Sequence, residues 1–272
     1  MPEGPEVATI VDNLNKVLSG SIIQSITINS KSRYFGSDVW SPPNTPFRVT
    51  KVTKKGKNIF FHLSDAGNYE YLYSHLIMTG KWLWNEGNAS GIVFTIRIGE
   101  EIKKLYYDDV RKWGHLVWMN KEQYESKIKT IGPDLLAGEV TPEIWTKAIT
   151  NTRIKTKKVC EFLMEQNRIS GIGNYLKSEI LYRAGIKPDR MLCNLTKKEI
   201  GLLYKVSVDT INESYKKGGL TISDYLTPDG KKGNFNILVY GRKGKKDVNG
   251  YTILCTVFHN KRSTYWVEEI QK

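Results

Sequence analysis

The residues with the clearest potential for chemistry are the first six of the chain, Met1-Pro2-Glu3-Gly4-Pro5-Glu6. A methionine is normally trimmed when a small residue such as proline follows it, and its removal would leave a secondary α-amine on Pro2. Because an α-amine has a pKa near ~8, against ~10.4 for lysine, about a tenth of it is neutral at pH 7. A neutral amine forms iminium (Schiff-base) intermediates with carbonyl carbons, and the neighbouring Glu3 carboxylate can move protons. The N-terminus is therefore a candidate active site.

The same residues also have the composition of an ordinary helix start. Pro5 suits a first helical turn and Glu6 complements the positive end of the helix dipole. The apolar residues that follow lie on one helical face, and Gly20 ends the pattern: Val7, Ile10, Val11, Leu14, Val17 and Leu18. A helix here also favours an unprotonated amine beside it, so the capping and catalytic interpretations both remain open.

Two further segments have the residue types of phosphate sites. Gly171-Ile172-Gly173-Asn174 separates two helical patterns, so the backbone can approach an anion closely at Gly173, and Asn174 can add a side-chain donor. Lys155 lies upstream and could reach the same phosphate. A plain turn and a solvated lysine are the alternatives.

Lys57 follows a tight turn in Lys54-Lys55-Gly56-Lys57, where it could shuttle a proton or neutralise charge. The alternative is a charged hairpin tip.

Another group has the residue types that could fill a gap in a DNA duplex. Met78 offers a flexible apolar side chain, and Arg111 and Trp113 offer a cation and an aromatic ring. Each of these three also has an ordinary interpretation, as a core residue or a surface ion pair. Tyr240, Arg242 and residues 260–266 interleave cations with aromatic rings in two turns, which fits either phosphate and base contacts or a solvated hairpin.

Composition favours a polyanionic partner for the chain. It has 272 residues with 41 Lys+Arg against 28 Asp+Glu, a net charge of +13, which points first to nucleic acid. No segment is long and apolar enough to span a membrane, and no signal peptide is recognisable. The three cysteines, Cys160, Cys193 and Cys255, are odd in number and lack metal-ligand spacing, which predicts reduced thiols in an intracellular protein.

The patterns typical of helices and strands divide the chain into regions. After the first helix, alternating residues such as those of 92–98 predict strands to about residue 120, typical of a sandwich or barrel. We predict a β-sandwich domain at 1–130, a linker at 131–141, a helical domain with a mobile loop at 142–233, and a β-hairpin at 234–272. The fold class is thus α+β.

These motifs, in this order, resemble the formamidopyrimidine-DNA glycosylase/endonuclease VIII family over essentially the whole chain. The resemblance implies an N-terminal antiparallel β-sandwich flanked by helices, a helix–two-turns–helix domain and a C-terminal finger. It also implies roles. Pro2 is similar to the nucleophile, Glu3 to its acid/base partner, and Lys57 to a proton-transfer and phosphate-contacting lysine. Arg262 is similar to a catalytic finger arginine that contacts phosphate and supports the later elimination. The other implied DNA contacts are Glu6, Met78, Arg111, Trp113, Lys155, Gly173, Asn174, Tyr240 and Arg242.

The finger departs from the family pattern. Many members carry four cysteines that hold zinc, but the corresponding positions here are Lys246, Asn249, Val267 and Ile270. We therefore expect a zincless finger, no metal and no cofactor.

The resulting hypothesis is a bifunctional DNA glycosylase and AP lyase that removes oxidised bases, mainly pyrimidines and formamidopyrimidines, through a Pro2 Schiff base with β,δ-elimination. The expected partner is double-stranded DNA with oxidised bases or abasic sites. We expect a monomer with no membrane association, in the nucleus, another DNA-containing compartment or a viral factory, and not secreted. A catalytically silent damaged-DNA-binding protein is the alternative, and a basic RNA-binding protein is a third possibility.

Overall fold

The computed structural model describes residues 2–37, 40–220, 227–230, 232–258 and 261–272. The chain forms two compact units. The first unit comprises residues 1–130 together with 218–234, and the second comprises residues 131–217 together with 235–272.

An antiparallel β-sandwich is the centre of the first unit. Its strands are β1 (Ile22–Ile28), β2 (Phe47–Lys55), β3 (Asn58–Ser64), β4 (Tyr71–His75), β5 (Lys81–Leu83), β6 (Ser90–Ile98), β7 (Glu101–Asp108) and β8 (His115–Met119). They pair in the order β5-β7-β6-β1-β2-β3-β4-β8. Trp82 and Trp118 lie on the two outermost strands yet are buried in the same apolar cluster. The sheet must therefore fold over on itself, which confirms the predicted sandwich.

Helix α1 (Gly4–Leu18) packs on this sheet through the predicted apolar face. Asn15 fixes its position: Asn15 Nδ2 donates to the carbonyl of Val52 at 2.6 Å, and Val52 N donates to Asn15 Oδ1 at 2.7 Å. These bonds satisfy a strand residue beside the register shift between Val49 and Lys51. Helix α2 (Lys121–Lys129) ends the first stretch of the unit.

The second unit is helical with a small hairpin. Its helices are α3 (Pro142–Ile149), α4 (Val159–Phe162), α5 (Asn174–Ala184) and α6 (Lys197–Lys216), followed by β9 (Leu254–Val257) and β10 (Ser263–Trp266). Residues 175–182 of α5 are all buried, including charged ones, because α6 and β10 pack on it. Helices α4 and α5 are joined by successive turns, and β9 and β10 form the predicted finger hairpin.

Residues 218–234 are grouped differently from the sequence-based division, which placed them in the helical domain. They belong to the first unit, and two hydrogen bonds attach them to it. Leu220 N donates to Glu6 Oε1 at 2.7 Å, and the carbonyl of Pro228 accepts from Trp84 N at 3.2 Å. The loop was also predicted to be mobile. Part of it, residues 221–226 and 231, lies outside the described residues.

Residues 131–141 are an integral part of the second unit rather than a separate linker, since Gly132 N donates to the Gln166 carbonyl at 2.8 Å and Asp134 forms a bridge with Ser170. Among the described helices, none has the length and apolar character needed to cross a bilayer.

Candidate functional site

Pro2 and Glu3 directly precede helix α1 and are removed from solvent. Pro2 is buried, Glu3 is the N-cap residue of α1, and Glu6 occupies the third helical position. Glu3 N donates to Glu6 Oε2 at 2.7 Å, as in a capping box. The structure thus brings these three residues together and gives the backbone of Glu3 a fixed orientation.

Glu6 also connects this helix start to a second segment. Its side chain is 0 % exposed, and Oε1 accepts a hydrogen bond from Leu220 N at 2.7 Å. Gly219 has a φ of +87°, and a Cβ added there would lie 2.5 Å from Glu6 Oε1. Only glycine fits this approach. Backbone donors thus engage both carboxylate oxygens of Glu6.

Lys57 lies at the turn between β2 and β3, where Gly56 has a φ of +57°. Its side chain is almost fully buried, unlike a solvated hairpin tip. Asn58 fixes the turn: its Nδ2 donates to the Lys55 carbonyl at 3.0 Å, and its Oδ1 accepts from Tyr73 Oη at 2.9 Å. Since α1 packs against both strands of this hairpin, one group of elements carries Lys57 and the N-terminus.

Two ionisable side chains in the region of Lys57, His75 and Tyr73, have pKa values that keep them uncharged. Burial lowers the pKa of His75 to about 4, and the positive charges of Lys127 and Lys57 act in the same direction. Burial also raises the pKa of Tyr73 to about 12. His75 and Tyr73 are therefore neutral at pH 7.

Asp109 ties the Met78 segment to the Arg111–Trp113 segment. Thr79 Oγ1 donates to Asp109 Oδ1 at 2.5 Å and accepts from Arg111 N at 3.3 Å. Asp109 Oδ2 accepts from Gly114 N at 2.7 Å. The predicted group of three residues is thus built on two turns that one buried carboxylate holds together.

Glycines allow this close packing. A Cβ on Gly80 would come within 2.8 Å of Tyr107 Oη, and one on Gly114 would overlap the same hydroxyl. Both segments therefore end in glycine because both lie against one buried phenol. This gives a physical reason for a glycine in each of the two sequence segments.

The side chains carried by these turns face solvent to differing degrees. Met78 is partly exposed, Arg111 is exposed, and Trp113 is 53 % exposed. The Arg111 guanidinium lies 5.2 Å from the centroid of the Trp113 ring, a cation–π contact. An exposed tryptophan stacked with a cation is not a core residue, so the core interpretation of Trp113 is excluded.

In the second unit, Gly173 and Asn174 lie at the N-terminus of α5 as predicted. Gly173 is the N-cap, with extended backbone, and Asn174 is the first helical residue. Gln166 braces the turn before them by accepting from Gly171 N at 3.1 Å and donating to the Ile172 carbonyl at 2.8 Å. Asn174 Oδ1 accepts from the buried Lys177 Nζ at 2.7 Å.

Another buried carboxylate, that of Glu179, fixes the segment that carries Tyr240. Its oxygens accept hydrogen bonds from the backbone N–H groups of Leu238, Val239 and Tyr240 at 3.0, 2.9 and 2.9 Å. Burial raises the pKa of Glu179, while these donors oppose the rise. Tyr240 packs edge-on against Tyr265, with ring centroids 5.2 Å apart.

The predicted cations of this unit occupy different environments. Arg242 is half-buried and donates to two finger carbonyls, those of Leu238 at 2.5 Å and Lys246 at 3.1 Å, so it braces the finger itself. Arg262 is exposed immediately before β10, and Lys155 is exposed after a short 3-10 turn.

Zinc does not fit the finger. Val267 is fully buried in an apolar cluster with Tyr182, Val239 and Ile253. Of the other ligand positions, Lys246 donates to Thr252 Oγ1 at 2.9 Å and Ile270 packs against that cluster. No grouping of His, Cys, Asp or Glu suited to a metal occurs in the part of the chain that the structure describes.

Asp247 organises the finger turn instead. Its Oδ1 accepts from the backbone N–H groups of Asn249 and Tyr251 at 2.9 and 2.8 Å. Its Oδ2 accepts from Tyr182 Oη at 2.9 Å. Sequence reasoning did not identify Asp247, nor Asp109, Glu179 or Lys177. Their only sequence signal is a charged residue within or beside a segment that is otherwise buried.

Comparison with known proteins agrees with this architecture. The model of the formamidopyrimidine-DNA glycosylase N-terminal domain matches residues 1–116, and that of the formamidopyrimidine-DNA glycosylase H2TH domain matches residues 131–225. A formamidopyrimidine-DNA glycosylase of Bacillus cereus is 30 % identical over 98 % of this chain and 97 % of its own length. The chain belongs to the formamidopyrimidine-DNA glycosylase/endonuclease VIII family. It is thereby assigned to the DNA glycosylases of base excision repair.

Other relatives extend the similarity. The Exiguobacterium formamidopyrimidine-DNA glycosylase is 33 % identical over 90 % of each chain. The crystal structure of the MutM (Fpg) protein from Thermus thermophilus has a TM-score of 0.84 at 25 % identity, covering 99 % of this chain and 98 % of that one. A Lactococcus lactis FPG mutant in complex with Fapy-dG containing DNA also has a TM-score of 0.84 at 25 % identity, with 100 % of both chains covered.

Proposed function

We propose that the protein is a bifunctional DNA glycosylase and AP lyase that uses the α-amine of Pro2 as its nucleophile. The observation that carries the proposal is the burial of Pro2 beside Glu3 at the positive end of α1. Removal from water and a nearby helix N-terminus both disfavour an ammonium group, so both raise the neutral fraction of a processed Pro2 amine.

The reaction begins with attack of the Pro2 nitrogen on C1′ of the damaged nucleotide. The N-glycosidic bond breaks and the base leaves with a proton. The C1′–O4′ bond of the sugar ring then opens, O4′ takes a proton, and C1′ becomes the carbon of an iminium. This iminium acidifies the C2′ proton, whose removal expels the 3′ phosphate by β-elimination. A second elimination expels the 5′ phosphate, and water then releases the sugar fragment from Pro2. Glu3 and the buried Lys57 are the groups we assign to the proton transfers.

The remaining residues recognise the DNA. Asn174 at the start of α5, with exposed Arg262 and Lys155, is assigned to phosphates, consistent with a net charge of +13. The Met78, Arg111 and Trp113 turns supply a partly apolar, partly cationic surface for the space that a flipped base leaves. Tyr240, whose backbone N–H is held by Glu179, packs against Tyr265 and so supports strand β10 of the finger.

The substrate class we propose is duplex DNA with oxidised pyrimidines or formamidopyrimidines. The formamidopyrimidine part is supported by the names of the relatives and by the Fapy-dG complex of the Lactococcus lactis protein. The oxidised-pyrimidine part comes from the zincless finger and the Asn174-Tyr175-Leu176-Lys177 helix start, which are similar to endonuclease VIII-like members.

A cleavage panel on defined duplexes tests this function. End-labelled duplexes would carry an oxidised pyrimidine, a formamidopyrimidine, 8-oxoguanine, an abasic site or no lesion. We expect cutting at the first two and at the abasic site, with phosphates at both ends of a one-nucleotide gap, and poor cutting at 8-oxoguanine. Tight lesion binding without any cutting would instead identify a silent damage-binding protein, and equal binding of RNA would remove the DNA-repair assignment.

A further inference from the structure

Lys177 is the most unusual charged residue of the second unit. It lies in the first turns of α5, and its side chain is 0 % exposed. Burying an ammonium group costs several kcal/mol unless hydrogen-bond acceptors surround it. A fully buried lysine three residues after a phosphate-binding candidate therefore requires a structural or functional explanation.

The hydrogen bonds of Lys177 connect two candidate phosphate contacts. Its Nζ donates to Asn174 Oδ1 at 2.7 Å and to the carbonyl of Ser263 at 3.4 Å. Ser263 is the first residue of β10 and directly follows Arg262. The next helical residue, Ser178, strengthens the same junction, because its Oγ accepts from Tyr265 N at 3.3 Å.

The bond to Asn174 determines which way the amide points. An ammonium group has donors and no acceptor, so it must face the oxygen of the amide and not its nitrogen. The planar amide then directs Nδ2 away from Lys177. Asn174 is partly exposed, so the residue is accessible from solvent.

We propose that Lys177 is a positioning residue, which holds the Asn174 amide with its donor outward, so that this amide is arranged in advance for a backbone phosphate. This inference rests on the proposed function, in which Asn174 binds DNA. Lys177 acts through Asn174 and does not itself touch the phosphate, and the Ser263 carbonyl serves as a further acceptor for its ammonium group.

A double-mutant cycle separates positioning from direct contact. The variants are Lys177→Met, which keeps the length without donors, Asn174→Ala, and the two combined. Affinity for a duplex with a tetrahydrofuran abasic analogue would be measured by fluorescence anisotropy over a range of salt concentrations. Exposed Lys198 on α6 provides the matched control, Lys198→Met.

We expect Lys177→Met to raise Kd roughly tenfold in the wild-type background, as for loss of a hydrogen bond to a charged group, and by less than about threefold when Asn174 is already alanine. Lys198→Met should leave Kd within about twofold. Because Lys177 does not contact phosphate, the slope of log Kd against log salt should stay unchanged. A slope lower by about 0.9, the value for one lost phosphate contact, would overturn the proposal, as would fully additive losses.

Melting curves of each variant show whether the fold is retained. Should Lys177→Met not fold, Lys177→Gln replaces it in the same cycle, and a loss above threefold that persists in the Asn174→Ala background contradicts the inference. If the wild-type protein does not bind the abasic duplex, the proposed function fails. If the wild type binds and Asn174→Ala weakens it while Lys177→Met does not, only the positioning role fails.

Discussion

We expect the carboxylate of Asp247 to stabilise the finger, which lacks the zinc ligands of other family members. In the variant Asp247→Ala, the backbone N–H groups of Asn249 and Tyr251 and the hydroxyl of Tyr182 lose their common acceptor. The two backbone groups lie at an exposed turn and can bond to water, whereas Tyr182 is buried. The main cost is therefore the buried, charge-assisted bond.

A hydrogen bond to a charged group contributes about 1.5–3 kcal/mol, and a buried donor without a partner costs about 1–3 kcal/mol. Because these terms overlap, we expect Asp247→Ala to lower the free energy of unfolding by roughly 2–4 kcal/mol. Tyr182→Phe removes one donor and keeps the ring, so it should cost about 1 kcal/mol.

Urea unfolding gives the total loss, and hydrogen exchange followed by mass spectrometry gives its location. Protection should fall first in residues 245–257 and stay unchanged in the β-sandwich. The control Asp209→Ala, at an exposed position of α6, should change stability by less than about 0.5 kcal/mol. A loss below this value for Asp247→Ala, or restored stability on adding zinc, would refute the reasoning.

Three other expectations follow from buried polar groups. Burial lowers the pKa of His62 and of His75 to about 4. Since the unfolded chain binds these protons near pH ~6.5, stability should rise between pH 4 and 6.5, by about 2 kcal/mol for the better-buried His75 and by less for His62, which solvent screens. Urea titrations that stay flat over this range would contradict it. Glu6→Gln leaves one backbone N–H facing an amide donor, so it should cost about 1–3 kcal/mol in urea unfolding and slow base release; unchanged values would show that the link to Leu220 is unimportant. Thr79→Val removes the buried bond that joins the Met78 turn to Asp109. It should lower the free energy of unfolding by about 1–3 kcal/mol and slow single-turnover cleavage about tenfold; an unchanged rate would argue against the role of this bond.

The local elements were largely predictable because their signals are local. The apolar spacing of residues 7–18 predicted α1, and the structure has it at Gly4–Leu18. Alternation over 92–98 predicted the strand found at Ser90–Ile98, and the Lys54–Lys57 turn lies between β2 and β3 as expected. Each of these depends on the periodicity or turn chemistry of neighbouring residues.

The buried charges were not predictable, because their partners are distant in sequence. Glu179 meets backbone groups about sixty residues later, and Lys177 meets the Ser263 carbonyl 86 residues later. A pattern of polar and apolar residues assigns such side chains to solvent. The sequence left the exposure of Trp113 open for the converse reason, since an aromatic residue next to a strand is most often buried.

Trapping with borohydride tests the central assignment most directly. The Met1-processed protein would be incubated with a lesion-containing or abasic duplex and borohydride, and the adduct digested and mapped by mass spectrometry. The assignment predicts a covalent protein–DNA adduct whose sugar remnant is on the nitrogen of Pro2, with strongly reduced trapping when an uncleavable residue precedes Pro2. Absence of an adduct, or a remnant on Lys57 or another lysine while Pro2 is unmodified, would contradict it.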